Sequence, residues 1–174
     1  MGLTLVMAKN QRETVSSPVS QSDKVEGYQG IELIYYGQMS LVKDADELLA
    51  SFGYGRAHFR AMYVISIYPH ITGNELLTRL KITNQSLSRV MRQLLADGMV
   101  RQESSMEDRR LRRHILSGKG AALFQKAADL QFEVIFKAYE AAGKLAVSGF
   151  LQVLQQLMPM EDRHLLTFPI NEEP

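Results

Sequence analysis

Apolar residues recur at helical spacing along 31–52, at Ile31, Leu33, Ile34, Tyr35, Leu41, Val42, Leu48 and Leu49, and the FGYG that follows supplies a stop. This predicts a first helix. A second run, 56–68, is apolar on more than one face (Phe59, Met62, Tyr63, Val64, Ile65, Ile67) and ends before Pro69, whose ring disfavours helix at the preceding residue. It predicts a central, buried helix. Two short helices follow, 72–80 and 83–97, with Thr72 and Thr83 as N-caps and Gly98 ending the second. MVRQES (99–104) and LRRHIL (111–116) predict two short strands joined by the polar SMEDRR, forming a two-stranded ribbon. Ser117 then caps a long helix reaching about residue 142. Gly143 interrupts it before a last helical run, 145–158, whose apolar side is Leu151, Val153, Leu154 and Leu157. Residues 1–28 are polar, rich in Ser, Gln and Val, and lack a sustained period, which predicts a flexible arm.

The helix over 84–97 carries the candidate chemistry. Leu87, Val90, Met91 and Leu94 fall at i, i+3, i+4 and i+7 on one side, while Gln85, Ser88, Arg89 and Arg92 repeat that spacing on the other. Amide, hydroxyl and guanidinium groups are those that hydrogen-bond base edges and phosphates in a major groove. The short turn KITN before this helix and the ribbon after it complete the order helix, turn, helix, wing.

Charge sharpens this reading. The chain of 174 residues has a formal net charge of only +1, yet residues 79–119 hold ten Lys and Arg against four acids, and the remainder holds ten basic against fifteen acidic residues. A distribution polarised in this way suggests that one face meets a polyanion. The absence of cysteine excludes disulfides, thiolate metal sites and thiol redox sensing. No metal or other cofactor is expected. With no apolar stretch long enough to span a bilayer and no secretory leader at the N-terminus, the expectation is a cytoplasmic protein without a membrane partner.

The wing and the start of the following helix read EDRRLRRHILSGKG over 107–120. This resembles the MarR family of winged helix-turn-helix transcriptional regulators, whose pattern there is D-x-R, then a few residues, then L-T/S-x-x-G. Asp108, Arg110, Leu116, Ser117 and Gly120 occupy those positions. LLTRLKITNQSLSRVMRQLLADGMVRQ (76–102) is also similar to the family's helix-turn-helix, and the element order matches over about 31–158. The resemblance implies a mainly α fold with a small β-wing, a winged helix-turn-helix plus N- and C-terminal dimerisation helices. The implied division is an arm at 1–28, a dimerisation helix at 29–52, the DNA-binding module at 53–120 and C-terminal dimerisation helices at 121–174. It further implies a triangular homodimer in which each subunit offers one winged module to half of a pseudo-palindromic double-stranded DNA operator.

On this basis the expected DNA-binding residues are Thr83, Asn84, Gln85, Ser86, Ser88, Arg89, Arg92, Asp108, Arg109, Arg110 and Arg112. Asp108 paired to an arginine would hold the loop in shape while another arginine enters the minor groove, Arg110 first by resemblance to the motif and Arg109 next. Arg112 and Arg113 alternate along a strand, so one faces phosphate or Asp108 and the other points elsewhere. Relatives also bind aromatic acids or other small amphipathic molecules between dimerisation helices and winged module, which makes Tyr35, Tyr36, His58, Met62 and Tyr63, with Arg60 as carboxylate partner, candidates for an effector site. The function expected is a repressor released by a small ligand, an aromatic acid or its thioester.

Two other classes compete. Four scattered histidines and the lack of H-E-x-x-H, P-loop and G-x-S-x-G patterns argue against an enzyme. A winged helix used for protein or RNA contact is the alternative, and the polar face of residues 84–97 argues against it.

Overall fold

The structure, a computed structural model, describes residues 20–104 and 111–166. These fall into two units, one ending at Gly37 and one beginning at Gln38. The elements are α1 (Gln21–Ala50), α2 (Arg56–Ile67), β1 (Ile71–Thr72), α3 (Gly73–Leu80), α4 (Asn84–Ala96), β2 (Val100–Ser104), β3 (Arg112–Leu116), α5 (Gly118–Ala142) and α6 (Lys144–Leu157), followed by a 3-10 turn, Met160–Leu165. This is the mainly α, winged helix-turn-helix order that the residue pattern predicts.

Helix α1 starts earlier than its apolar period suggests, so residues 21–28 belong to a helix and not to an arm. The cause is local. Ser20 and Asp23 cap reciprocally: the Asp23 amide donates to Ser20 Oγ at 3.1 Å, and the Ser20 amide donates to Asp23 Oδ2 at 3.1 Å. Those hydrogen bonds hold the Asp23 carboxyl below the usual carboxylate range. The first nineteen residues lie outside the described ones.

At the other end of α1, Gly53 turns the chain with a φ of +75°, a conformation suited to glycine, and the Tyr54 amide returns to the Leu49 carbonyl at 2.9 Å. Helix α2 then runs through the middle of the second unit. Ala61, Met62, Val64 and Ile65 are buried on it, and they share one core with Leu49, Leu76, Leu80, Leu87, Val90, Met91, Leu94, Met99 and Val100. A side chain such as Leu94, with no exposed surface, contributes about 1.5–3 kcal/mol by leaving water.

The ribbon is part of a three-stranded antiparallel sheet in the order β1-β3-β2. Val100 faces Leu116 and Gln102 faces His114 across β2 and β3, while Ile71 faces His114 across β1 and β3. A two-residue strand has no periodicity to read, and β1 exists because the wing strand β3 pairs with it.

Candidate DNA-binding face

Helices α3 and α4 are set by their caps. Thr72 Oγ1 accepts from the Glu75 amide at 3.4 Å, while Glu75 Oε2 accepts from the Thr72 amide at 2.8 Å and from its hydroxyl at 2.7 Å, a complete capping box. Lys81 closes α3 in the left-handed region with a φ of +51°, and the Arg60 guanidinium donates to the last carbonyl of α3, Leu80 O, at 2.9 Å. Thr83 Oγ1 then accepts from the Ser86 amide at 3.2 Å and opens α4.

The two faces of α4 separate as the spacing predicts. Leu87, Val90, Met91 and Leu94 are buried, and Thr83, Asn84, Gln85, Ser86, Ser88, Arg89 and Arg92 are exposed. The Thr83 and Ser86 hydroxyls bond each other at 2.9 Å. Among the described residues Arg89 and Arg92 form no hydrogen bond or salt bridge, so both guanidinium groups are available to an outside anion.

The C-terminal half of α4 is tied down by polar contacts that periodicity does not reveal. Tyr54 Oη donates to Asp97 Oδ2 at 2.8 Å, and Lys119 Nζ donates to the Asp97 carbonyl at 3.3 Å. Gln93 bridges two partners, its Nε2 donating to Gly53 O at 3.2 Å and its Oε1 accepting from His58 Nε2 at 3.0 Å. The Gly55 amide donates to His58 Nδ1 at 3.1 Å, so the imidazole is neutral with its proton on Nε2. Burial pushes the His58 pKa down, and the nearby Arg89 guanidinium acts in the same direction. Burial, with the Asp97 carboxylate beside it, raises the Tyr54 phenol above its ordinary value and keeps it a donor. A further tie joins Lys81 in the turn to Asp162 in the C-terminal 3-10 segment.

At the wing, Asp108, Arg109 and Arg110 lie outside the described residues. Arg112 is exposed at the outer end of β3, opposite Ser104. Arg113 points inward by comparison, half-buried, and donates to His70 O at 3.3 Å. The base of the wing is fixed by Ser117, whose amide donates to Met99 O at 2.9 Å and whose hydroxyl donates to Gly98 O at 2.7 Å.

The candidate effector residues are dispersed in environment. Tyr35 and Tyr36 are exposed and meet edge to face at 5.2 Å. Tyr63 is exposed and packs near Phe124 at 6.3 Å. Met62 is wholly buried in the core, and Arg60 is the cap of α3.

Comparison with known proteins gives this arrangement a family. The MarR family profile matches residues 52–111. The HTH-type transcriptional regulator PetP of Rhodobacter capsulatus is 40% identical over 136 residues, covering 78% of this chain and 82% of PetP. The chain belongs to the MarR family. Solved members share its fold at lower identity. A MarR family transcription regulator superposes with a TM-score of 0.69 at 15% identity, covering 78% of this chain and 90% of that one. A variant of MarR from E. coli in complex with operator DNA gives 0.61 at 19% identity, with 80% and 99% covered. A Mycobacterium tuberculosis MarR family protein in complex with p-aminosalicylic acid gives 0.53 at 21%, with 75% and 96% covered. The chain is therefore a DNA-binding transcriptional regulator with the MarR winged helix, and no helix among its described residues is long and apolar enough to cross a membrane.

Proposed function

We propose that two copies of this chain bind an inverted repeat in double-stranded DNA as a cytoplasmic repressor, and that a small ligand releases them. What carries the reading is α4, anchored by four buried apolar residues and offering Asn84, Gln85, Ser88, Arg89 and Arg92 with no competing salt bridge among the described residues. Thr83 and Ser86 sit at the end of the helix that enters a groove, and Asp108, Arg109, Arg110 and Arg112 would continue the surface along the wing.

Dimerisation is supported by apolar side chains left in water. Helix α6 buries none of its own residues, and Leu145, Leu151, Val153 and Leu157 are exposed on it, with Phe132 and Phe136 exposed on α5. Exposed apolar surface of this extent marks an interaction face. Two modules spaced near one turn of DNA, about 34 Å, combine binding free energies that one short helix and one wing do not reach alone. The ligand reading is supported by the relative solved with p-aminosalicylic acid. Tyr63 on α2 and, separately, Tyr35 and Tyr36 on α1 are exposed candidates for ligand contact, whereas a ligand at His58, Arg60 or Met62 would first displace the Gln93 and Gly55 hydrogen bonds, the α3 cap or core packing.

The test combines light scattering of the purified chain with footprinting and titration of the protected site across salt concentrations. Arg89→Ala and Arg110→Ala are each expected to lower the salt slope by about 1. A single-copy mass in solution, or slopes unchanged in both variants, refutes the proposal.

A further inference from the structure

One edge of α4 is fastened to the corner between α1 and α2 by a closed circuit of hydrogen bonds. The Gly55 amide donates to His58 Nδ1 at 3.1 Å, His58 Nε2 donates to Gln93 Oε1 at 3.0 Å, and Gln93 Nε2 donates to Gly53 O at 3.2 Å. The circuit leaves the corner at Gly55 and returns to it at Gly53. Its polarity follows from the first link. An imidazole that accepts at Nδ1, and that burial keeps neutral, carries its proton on Nε2, so Gln93 turns its oxygen to His58 and its nitrogen to Gly53. Both ends of the amide are used.

The corner holds α4 at a second point one turn further on. Tyr54 Oη donates to Asp97 Oδ2 at 2.8 Å, and the Tyr54 ring stacks on His58 with centroids 5.0 Å apart. Gln93 and Asp97 are four residues apart and so lie along one edge of the helix. Gln93, half-buried, also stands four residues after Arg89 and next to Arg92, between the exposed side of α4 and its apolar stripe. Burial of Leu87, Val90, Met91 and Leu94 is non-directional, whereas hydrogen bonds are not. The apolar stripe keeps α4 on the core, and the edge bonds fix its rotation about its own axis.

Rotation matters differently to the two kinds of DNA contact. Side chains reach about 5–6 Å from a helix axis, so a roll of about 10° moves their tips by about 1 Å. That spoils a bidentate hydrogen bond to a base edge, whose geometry is narrow. Attraction between a guanidinium and a phosphate survives it, because that interaction is electrostatic and carries no sequence information.

We infer that Gln93 is a positioning residue for sequence readout: held by His58 and Gly53, it sets the rotation of α4 and so decides which base edges Gln85, Ser88, Arg89 and Arg92 meet, without touching DNA itself. The inference rests on the reading above that α4 faces the operator.

The test is the ratio of affinities of the full chain for the footprinted duplex and for a duplex of scrambled sequence, measured with the salt slope. Gln93→Met keeps the length of the side chain and removes both bonds. It is expected to lower the ratio about ten-fold or more while leaving the scrambled-duplex affinity and the salt slope unchanged. Two substitutions at His58 separate positioning from folding. In His58→Asn the side-chain oxygen takes the place of Nδ1, keeping the Gly55 bond and losing the Gln93 bond; in His58→Gln the amide nitrogen takes the place of Nε2, with the reverse result. His58→Asn is expected to lose the ratio as Gln93→Met does, and the double variant no more than either single one, since both cut the same circuit. His58→Gln is expected to lose less. Circular dichroism melts establish that each variant is folded in the assay, and should Gln93→Met unfold there, the two His58 variants decide the matter. An unchanged ratio in Gln93→Met beside a reduced salt slope in Arg89→Ala overturns the inference alone. Unchanged binding in both refutes α4 as the DNA-facing helix, and the inference with it. Equal losses on the two duplexes, or losses at His58 that follow melting temperature and not the Gln93 bond, make Gln93 a purely structural residue and also overturn the inference.

Discussion

Gly120 stands where the first turn of α5 crosses the strand leaving α4, and replacing it with alanine tests how tightly that junction is built. An added Cβ would lie 2.0 Å from the Met99 carbonyl oxygen and 2.8 Å from its carbon, against an ordinary carbon contact of about 3.5 Å. Met99 O also accepts the Ser117 amide at 2.9 Å, and the Gly120 amide donates to Ser117 Oγ at 3.0 Å, so nothing at this crossing is a flexible side-chain end. Forced displacement of backbone costs about 1–3 kcal/mol, and losing the Met99 hydrogen bond about 0.5–1.5 kcal/mol. Alanine's better helix propensity offsets about 1 kcal/mol. The net expectation for Gly120→Ala is a loss of about 2 kcal/mol, or about 4–8 °C in melting temperature for a chain of this size. Gly118→Ala is the control. An added Cβ there meets nothing within 4 Å, so it is expected to be neutral or slightly stabilising. Both variants would be melted by circular dichroism at one fixed protein concentration, because any association shifts the midpoint. Melting of Gly120→Ala within about 1 °C of the unaltered chain, or alongside Gly118→Ala, would refute the reasoning.

Two further outcomes follow from the caps and the sheet. Thr72→Ala removes the capping box of α3 and is expected to cost about 1 kcal/mol in urea denaturation; an unchanged midpoint would show that the box contributes nothing. His114 is buried and neutral, its Nδ1 donating to Ile71 O at 3.1 Å and its Nε2 accepting from Gln102 at 3.0 Å, and burial pushes its pKa below 6.5. The unfolded chain therefore takes up this proton first as pH falls, so stability is full above pH 6.5 and declines below it, through the window down to the folded-state value. His114→Gln should flatten that decline relative to the unaltered chain, and parallel stability curves for the two proteins would count against it.

Much of this protein was determined by the order of its residues alone. The i, i+3, i+4, i+7 stripe of Leu87, Val90, Met91 and Leu94 determined which side of α4 is buried and which side chains are exposed, because one helix turn after another repeats the same geometry. Thr72, Thr83 and Ser117 announced their helices for the same reason: a cap bonds to an amide three residues away. The start of α1 was equally local, written in Ser20 and Asp23, but no apolar period accompanies the cap there. What tertiary structure decided lies at long sequence separation. Gln93 meets His58 and Gly53, Lys81 meets Asp162, and β1 is a strand only because β3 lies beside it. Arg79 shows both levels in one residue: its spacing offers Glu75 as a partner, and the competing cap at Thr72 together with the Tyr68 ring settles its surroundings otherwise. Periodicity records which face a residue occupies, whereas the choice among several possible partners depends on which chain segments pack together, and that is a property of the folded whole.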